Sequence, residues 1–308
     1  MVIDTPAPPQ KPPGGWRTRL LRIVIVYGGI PYLSVTVLFT ICQRRLMYHP
    51  TVAESLAVAH LGLGADFARD VQIPTDDGHT LHGWLIRHRP SGDATGEASL
   101  MIYFPGNAGN RQERIEDLRE VAATGFDVLI FDYRGFGDSS GSPSEWALTA
   151  DAQRVWQYAC GELQYDPDRI VVFGESLGGA VALSLWATES PETPQPAAVI
   201  INSTFTTMPD VVAWHYPVFP FRYLLLDLWR SVRHIPHVPS PVIVFHGTAD
   251  EIVPVNQGRT LASQSPQARF IEIPGATHNE IPMIQLRQEL EQILATIPPR
   301  EPDAASPE

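Results

Sequence analysis

Five short runs, Leu100–Phe104, Val128–Asp132, Ile170–Phe173, Val199–Asn202 and Val242–Phe245, are nearly all apolar and rich in β-branched residues. A strand with one face in water alternates polar and apolar residues, so unbroken runs imply strands covered by helices on both faces. The chain therefore predicts a mostly parallel sheet. Amphipathic helices are expected over Arg111–Ala123, Leu148–Cys160, Leu177–Thr188, Val255–Gln264 and Ile281–Ile297. Val71–Pro74 and Leu81–Ile86 carry polar interruptions that suit an antiparallel edge hairpin, and Phe270–Ile273 supplies an eighth strand. Without an internal repeat, residues 43–297 read as one α/β domain.

A parallel sheet gathers its functional groups in the loops beyond the carboxyl ends of its strands. In IVVFGESLGGAVAL, Ser176 stands between a strand and a helix with Gly174 and Gly178 two positions to either side. That G-x-S-x-G spacing suits a sharp turn that exposes a serine hydroxyl and needs small neighbours, although the bare pattern also occurs in ordinary turns. A serine hydroxyl is a poor nucleophile at neutral pH and requires a base with an orienting carboxylate. The loops after later strands carry Asp250 and His278, in the order Ser, Asp, His. His246 is the rival base and Asp210 the rival acid. Attack on a carbonyl builds negative charge on oxygen, and the expected donors are the backbone N–H groups of Leu177 and, in MIYFPGNAGN, Asn107. A backbone donor makes the residue type at position 107 of little expected consequence.

The ordered set FPGNAGN, FDYRGFGDSSG, FGESLGG, HGTADEIVP and GATHN resembles the α/β-hydrolase superfamily. The likeness is greatest to its membrane-anchored bud-emergence branch, near serine-aminopeptidase-like hydrolases and depalmitoylases. It extends over about residues 43–297 and includes QRRLMYHPT. It implies an α/β-hydrolase fold with an eight-stranded sheet and a serine hydrolase using Ser176, Asp250 and His278. Pro105 departs from relatives that carry His before Gly-Asn. Tyr133 and Arg134, in FDYRGFGDSSG, are expected beside the substrate pocket.

Ile23 to Cys42 contains twenty uncharged residues, enough at about 1.5 Å per residue to cross a bilayer core of about 30 Å. The run leads directly into Gln43, Arg44 and Arg45 without a small-x-small cleavage pattern, which favours a retained anchor over a signal peptide. A kink is expected at Gly28, Gly29 and Pro31. Lys11, Arg17, Arg19 and Arg22 precede the run and Arg44 and Arg45 follow it, so a single-pass topology with a cytoplasmic amino end is expected. The catalytic domain then lies across the membrane. Residues 1–22 and 298–308 are Pro-rich or polar and read as disordered tails.

Of a net charge of −12, residues 1–45 contribute +5, leaving −17 on residues 46–308. An acidic body of that size is repelled by phosphate backbones, so no nucleic-acid partner is expected. Cys42 and Cys160 cannot assemble a structural zinc site or a disulfide framework, and the expected chemistry needs neither metal nor cofactor.

The aromatic-rich stretch 205–239, with Trp214 and Phe219, reads as a lid over a small-molecule or lipid-like acyl substrate. Ordinary core helices and a bilayer-facing patch are the alternatives. Carboxylic esters or thioesters are the expected substrates because alcohols and thiols leave more readily than amines. A peptidase or amidase of aminopeptidase-like type remains an alternative, as does a non-catalytic binding module on the same fold. The sequence carries no signal for oligomeric state.

Overall fold

The computed structural model describes residues 15–61, 67–88, 98–187 and 194–297. The expected tails at 1–14 and 298–308, and Thr188 at the end of one expected helix, fall outside the described residues. Eight strands form one sheet: β1 Ala68–Pro74, β2 Thr80–Ile86, β3 Ser99–Phe104, β4 Phe126–Phe131, β5 Ile170–Glu175, β6 Ala198–Asn202, β7 Val242–Gly247 and β8 Ala268–Ile273. Their spatial order is β8-β7-β6-β5-β3-β4-β2-β1. All pairings from β8 to β4 are parallel, while β2 is antiparallel to both β4 and β1.

Every residue of β3 to β7 is buried, as their unbroken apolar runs require. The edge strand β1 instead alternates buried and exposed positions. Helices cover both faces and close two apolar clusters, one built around Leu100, Phe104 and Val172, the other around Met101, Tyr103 and Phe173. The chain leaves β3 for β4 on one side and returns as β5 on the other. Strand order therefore reverses at β3, and the loops after β3 and β5 flank the crevice where α/β sheets bind their ligands.

The first helix, α1, runs from Trp16 to Met47 and is long and apolar enough to cross a membrane. It starts earlier than expected, so Arg17, Arg19 and Arg22 lie on the helix and not in an extended tail. Where a kink is expected, the helix has a π-helical turn at Ile25–Gly29, just ahead of Pro31. Proline lacks an N–H and its ring crowds the carbonyl four residues back, and a wider turn accommodates both.

The remaining helices are α2 Ile115–Ala122, α3 Glu145–Gly161, α4 Leu177–Leu183, α5 Met208–His215, α6 Ser231–His234, α7 Val255–Ala262 and α8 Met283–Thr296. α3 starts three residues before its apolar periodicity because Ser144 caps it, accepting the Ala147 N–H at 3.3 Å. Arg111–Arg114 forms a 3-10 turn, with the Asn110 side chain accepting from Gln112 N–H. α5 and α6 lie in the stretch read as a lid, where aromatic density masked any helical period.

Arg111 ties together the loops at the carboxyl edge of the sheet. Its guanidinium donates to Asp132 at the end of β4, to Asp138 at 2.6 Å and to the Leu56 carbonyl at 3.2 Å, and it lies 4.9 Å from the Trp84 ring. Its backbone N–H also donates to Asp132 at 2.7 Å. Both Arg111 and Asp132 are almost fully buried, so removing the cation leaves a buried carboxylate unpaired. Arg111→Ala is expected to lower stability by about 3–5 kcal/mol, read as a fall in thermal midpoint against the wild-type chain in the same detergent.

Candidate active site

Ser176 occupies the single turn between β5 and α4 with φ 53° and ψ −115°, a strained conformation for a side-chain-bearing residue. Two glycines make the turn possible. A Cβ at Gly178 would overlap the Phe104 and Pro105 carbonyl oxygens, and one at Gly174 would overlap the Gly178 backbone. The start of α4 is thus pressed directly onto the end of β3. Ser176 N–H donates to Asn202 O at 2.8 Å, and Thr204 Oγ1 donates to Ser176 O at 3.2 Å, holding the turn against β6.

The loops after β7 and β8 deliver the two expected partners. His278 Nε2 lies 2.8 Å from Ser176 Oγ, and its Nδ1 lies 2.8 Å from Asp250 Oδ2. Asp250 is held by its other oxygen, which accepts the N–H groups of Ile252 at 2.9 Å and Val253 at 2.7 Å. Burial pushes its carboxyl up, but hydrogen bonds from His246, His278 and Val253 outweigh that and hold it well below the usual carboxylate range.

The rivals lie elsewhere. His246 does not meet Ser176; it is fully buried, with Nε2 2.7 Å from the Val253 carbonyl and 3.2 Å from Asp250 Oδ2. The imidazole thus packs behind the acid. Asp210 sits in the first turn of α5, accepting from Thr206 and Thr207 hydroxyls, with Arg222 at 3.6 Å.

Asn107 lies in the loop after β3, and among the described residues neither its N–H nor that of Leu177 donates to a protein acceptor. The side chain of residue 107, expected to be of little consequence, makes a contact of its own. Its side-chain amide donates to the Met47 carbonyl at the end of α1 at 2.8 Å, while its own carbonyl accepts His49 N–H at 2.8 Å. The following residues Ala108–Gly109 pair in parallel with His49–Pro50. Segments 60 residues apart carry no periodicity that announces such a pairing.

Tyr133 lies against the Asn107 loop: its ring is fully buried, and its hydroxyl donates to the Pro105 carbonyl at 2.8 Å, bracing this loop from below. Arg134 binds Asp151 and Asp77 at 2.5 and 2.8 Å. Phe219 stacks on Tyr32 of α1 at 5.0 Å, and Trp214 is exposed on α5. Sequence reasoning passed over Glu175, which precedes the nucleophile turn. It accepts from Tyr103 at 3.0 Å and from Arg114 at 3.1 and 3.3 Å.

Residues 99–219 match the sequence profile of the alpha/beta hydrolase fold. An uncharacterized Mycobacterium tuberculosis protein, Rv2307c, is 40% identical over 90% of this chain and 94% of its own length. Protein bem46 of Schizosaccharomyces pombe is 29% identical over 83% of this chain and 88% of its own. The chain belongs to the α/β-hydrolase family, in its bud-emergence branch. The lysophosphatidylserine lipase ABHD12 of Danio rerio, another member, is 27% identical over 84% of this chain and 76% of its own. Among solved folds, the Pyrococcus furiosus esterase Pf2001 superposes with a TM-score of 0.60 at 19% identity, covering 80% of this chain and 96% of its own.

The low carboxyl value of Asp250 sets a pH dependence. A carboxylate with a depressed folded-state pKa adds stability that is present above its unfolded value of about 4 and is lost as pH falls through the lower folded value. The thermal midpoint of the wild-type chain is expected to exceed that of Asp250→Asn at neutral pH. The gap should narrow steadily below about pH 4, and a constant gap down to pH 2 would contradict the assignment.

Proposed function

We propose that this chain is a membrane-anchored serine hydrolase that cleaves carboxylic ester or thioester bonds of lipid-like acyl substrates through an acyl-enzyme. The observation that carries the reading is the imidazole of His278 set between Ser176 Oγ and Asp250 Oδ2 at 2.8 Å to each. With the Nδ1 proton donated to Asp250, Nε2 is free to accept the serine proton.

Oγ attacks the acyl carbon as its proton passes to His278, and negative charge gathers on the carbonyl oxygen. The N–H groups of Leu177, at the positive end of α4, and of Asn107 receive that charge. The tetrahedral adduct collapses, His278 returns the proton to the departing alkoxide or thiolate, and the acyl group remains on Ser176. Water then attacks the acyl-enzyme with His278 again as base, releasing the carboxylic acid and restoring the serine. Asp250 keeps the ring in one tautomer and stabilises the imidazolium that forms twice per cycle.

Lipid-like substrates are favoured by the lysophosphatidylserine lipase among the relatives and by an apolar helix suited to membrane anchoring. The excess of basic residues ahead of the span favours a cytoplasmic amino end with the body on the opposite side.

A fluorophosphonate probe is expected to label the wild-type chain and not Ser176→Ala; an unlabelled, folded wild type would overturn the proposal. His278→Ala should lower kcat on p-nitrophenyl esters by about 10⁴-fold or more. Faster turnover of aminoacyl amides than of esters would replace esterase by amidase.

Asn107→Ala keeps the backbone donor but removes the amide that fixes its loop to Met47. Its kcat should fall about tenfold, with KM little changed, if the N–H serves the transition state. An unaltered kcat would detach this loop from the reaction.

A further inference from the structure

One stripe of α1 meets protein: half-exposed Tyr32, then the more covered Thr36, Phe39, Thr40, Gln43 and Met47, at the i, i+4, i+7, i+8, i+11, i+15 spacing of a single helical face. The cover comes from the segment after α5. Tyr32 stacks on Phe219 at 5.0 Å, and Phe39 stacks on Phe221 at 3.8 Å. Lower down, the Gln43 side chain donates to Leu224 O and accepts from Leu226 N–H, and Arg44 makes a two-pronged ion pair with buried Asp227 at 3.0 and 3.1 Å. The segment is therefore fixed to the helix over most of three turns.

The level of those contacts matters. Gln43 and Arg44 mark the polar end of the apolar run, and Tyr32 lies eleven residues before Gln43. At about 1.5 Å per residue, the Phe219 contact lies roughly 16 Å below that polar level, well within a hydrocarbon layer of about 30 Å. A helix spanning the bilayer carries this segment down with it.

Its chemistry suits that depth. Irregular backbone survives in lipid only where its polar groups are satisfied. In the tip 217–220, Pro217 and Pro220 have no N–H, the Phe219 N–H donates to the Tyr216 carbonyl at 3.1 Å, and the Val218 carbonyl accepts the Tyr32 hydroxyl at 3.1 Å, which leaves the Val218 N–H as the tip's one backbone donor without a protein acceptor among the described residues. Most side chains left facing outward are apolar or aromatic: Trp214, Val218 at 72% and Tyr223 at 80% exposure, and Leu226; of the exposed polar ones, His215 sets its Nε2 2.8 Å from the Ile252 carbonyl. The segment's cation, half-exposed Arg222, faces Asp210 at 3.6 Å.

We propose that the segment from Trp214 to Leu226 is a second membrane contact, embedded without crossing in the leaflet nearest the hydrolase body, so that a lipid surface is the partner of this face. The proposal rests on the anchoring role given to α1. Embedding places the segment that follows the β6 loop among acyl chains and removes an aqueous passage from the route of a lipid substrate.

The test uses the full-length chain in phosphatidylcholine vesicles, with Cys42→Ser and Cys160→Ser as background and one environment-sensitive nitrobenzoxadiazole probe per variant. Val218→Cys reports the tip, Leu38→Cys the outward face of α1, and Glu291→Cys the body on α8. Nitroxides on the lipid acyl chains should quench the probes at 218 and 38 to a similar extent and leave that at 291 bright. Quenching at 38 without quenching at 218 would overturn the embedding while leaving the anchor intact. No quenching at either position would remove the anchor, and the embedding with it. Fluorophosphonate labelling equal to the parent verifies the fold, and Tyr223→Cys replaces Val218→Cys should that variant not label.

Discussion

Two backbones approach more closely at the nucleophile turn than any side chain would permit, and the rest of the site is arranged around that contact. Because Gly178 has no Cβ, the start of α4 rests on the carbonyl oxygens of Phe104 and Pro105. The contact sets the N–H of Leu177 beside the loop that carries Asn107. It also forces Ser176 into a conformation that lifts its side chain off the sheet. The strain is sustained because β5 is hydrogen-bonded on both sides within the sheet and the Ser176 N–H is bonded to β6. A sheet with strand reversal at β3 brings its loops to this point, and the glycines let them meet.

The apolar helix is joined to that same point. Met47, its last residue, accepts a hydrogen bond from Asn107, and His49 donates one to the Asn107 carbonyl, so both sides of the loop are fixed by chain that leaves the helix. Tyr48 between them is buried, its hydroxyl on Asp227 at 3.1 Å and the Trp229 indole on that hydroxyl at 3.2 Å. Desolvation and the neighbouring carboxylate push the phenol far above its usual range, so it stays a donor at any physiological pH. Three consecutive residues thus reach the loop after β3 and the segment after α6's predecessor, α5. The hydrolase body and its helix are one folded unit at this end, where an anchor alone would need only a tether.

The sheet was legible because its signal is local. Fully apolar runs reveal strands buried on both faces, polar interruptions reveal the edge hairpin, and glycines around Ser176 reveal a turn that only small residues allow. Asp250 and His278 could be chosen because each ends an apolar run, which fixes the sheet edge to which it belongs. The contacts of Asn107, Tyr133 and Glu175 had no such signal. Tyr133 reads like a pocket aromatic from its glycine-rich surroundings, and burial against Pro105 appears only when β3 and β4 are side by side. The helices of the aromatic stretch were obscured for a related reason: residues between them that pack against α1, Tyr216, Phe219 and Phe221 among them, add apolar positions with no helical period.

Charge placement around Ser176 follows from the same packing. Glu175 is buried one residue before the nucleophile, and a bare carboxylate there would oppose negative charge developing on a bound carbonyl at low local dielectric. Arg114 meets both of its oxygens and Tyr103 donates to one, so the pair is close to neutral as seen from the turn. Among the described residues, no arginine or lysine pairs with Asp250. Its oxygens are met by two backbone N–H groups, His278 and the imidazole of His246, none of which carries a fixed charge. One carboxylate beside Ser176 is therefore neutralised and the other left negative, and the negative one is in contact with His278. On the proposed mechanism this asymmetry favours positive charge on the imidazole while sparing the oxygen side of the site, a division that two unpaired carboxylates could not provide.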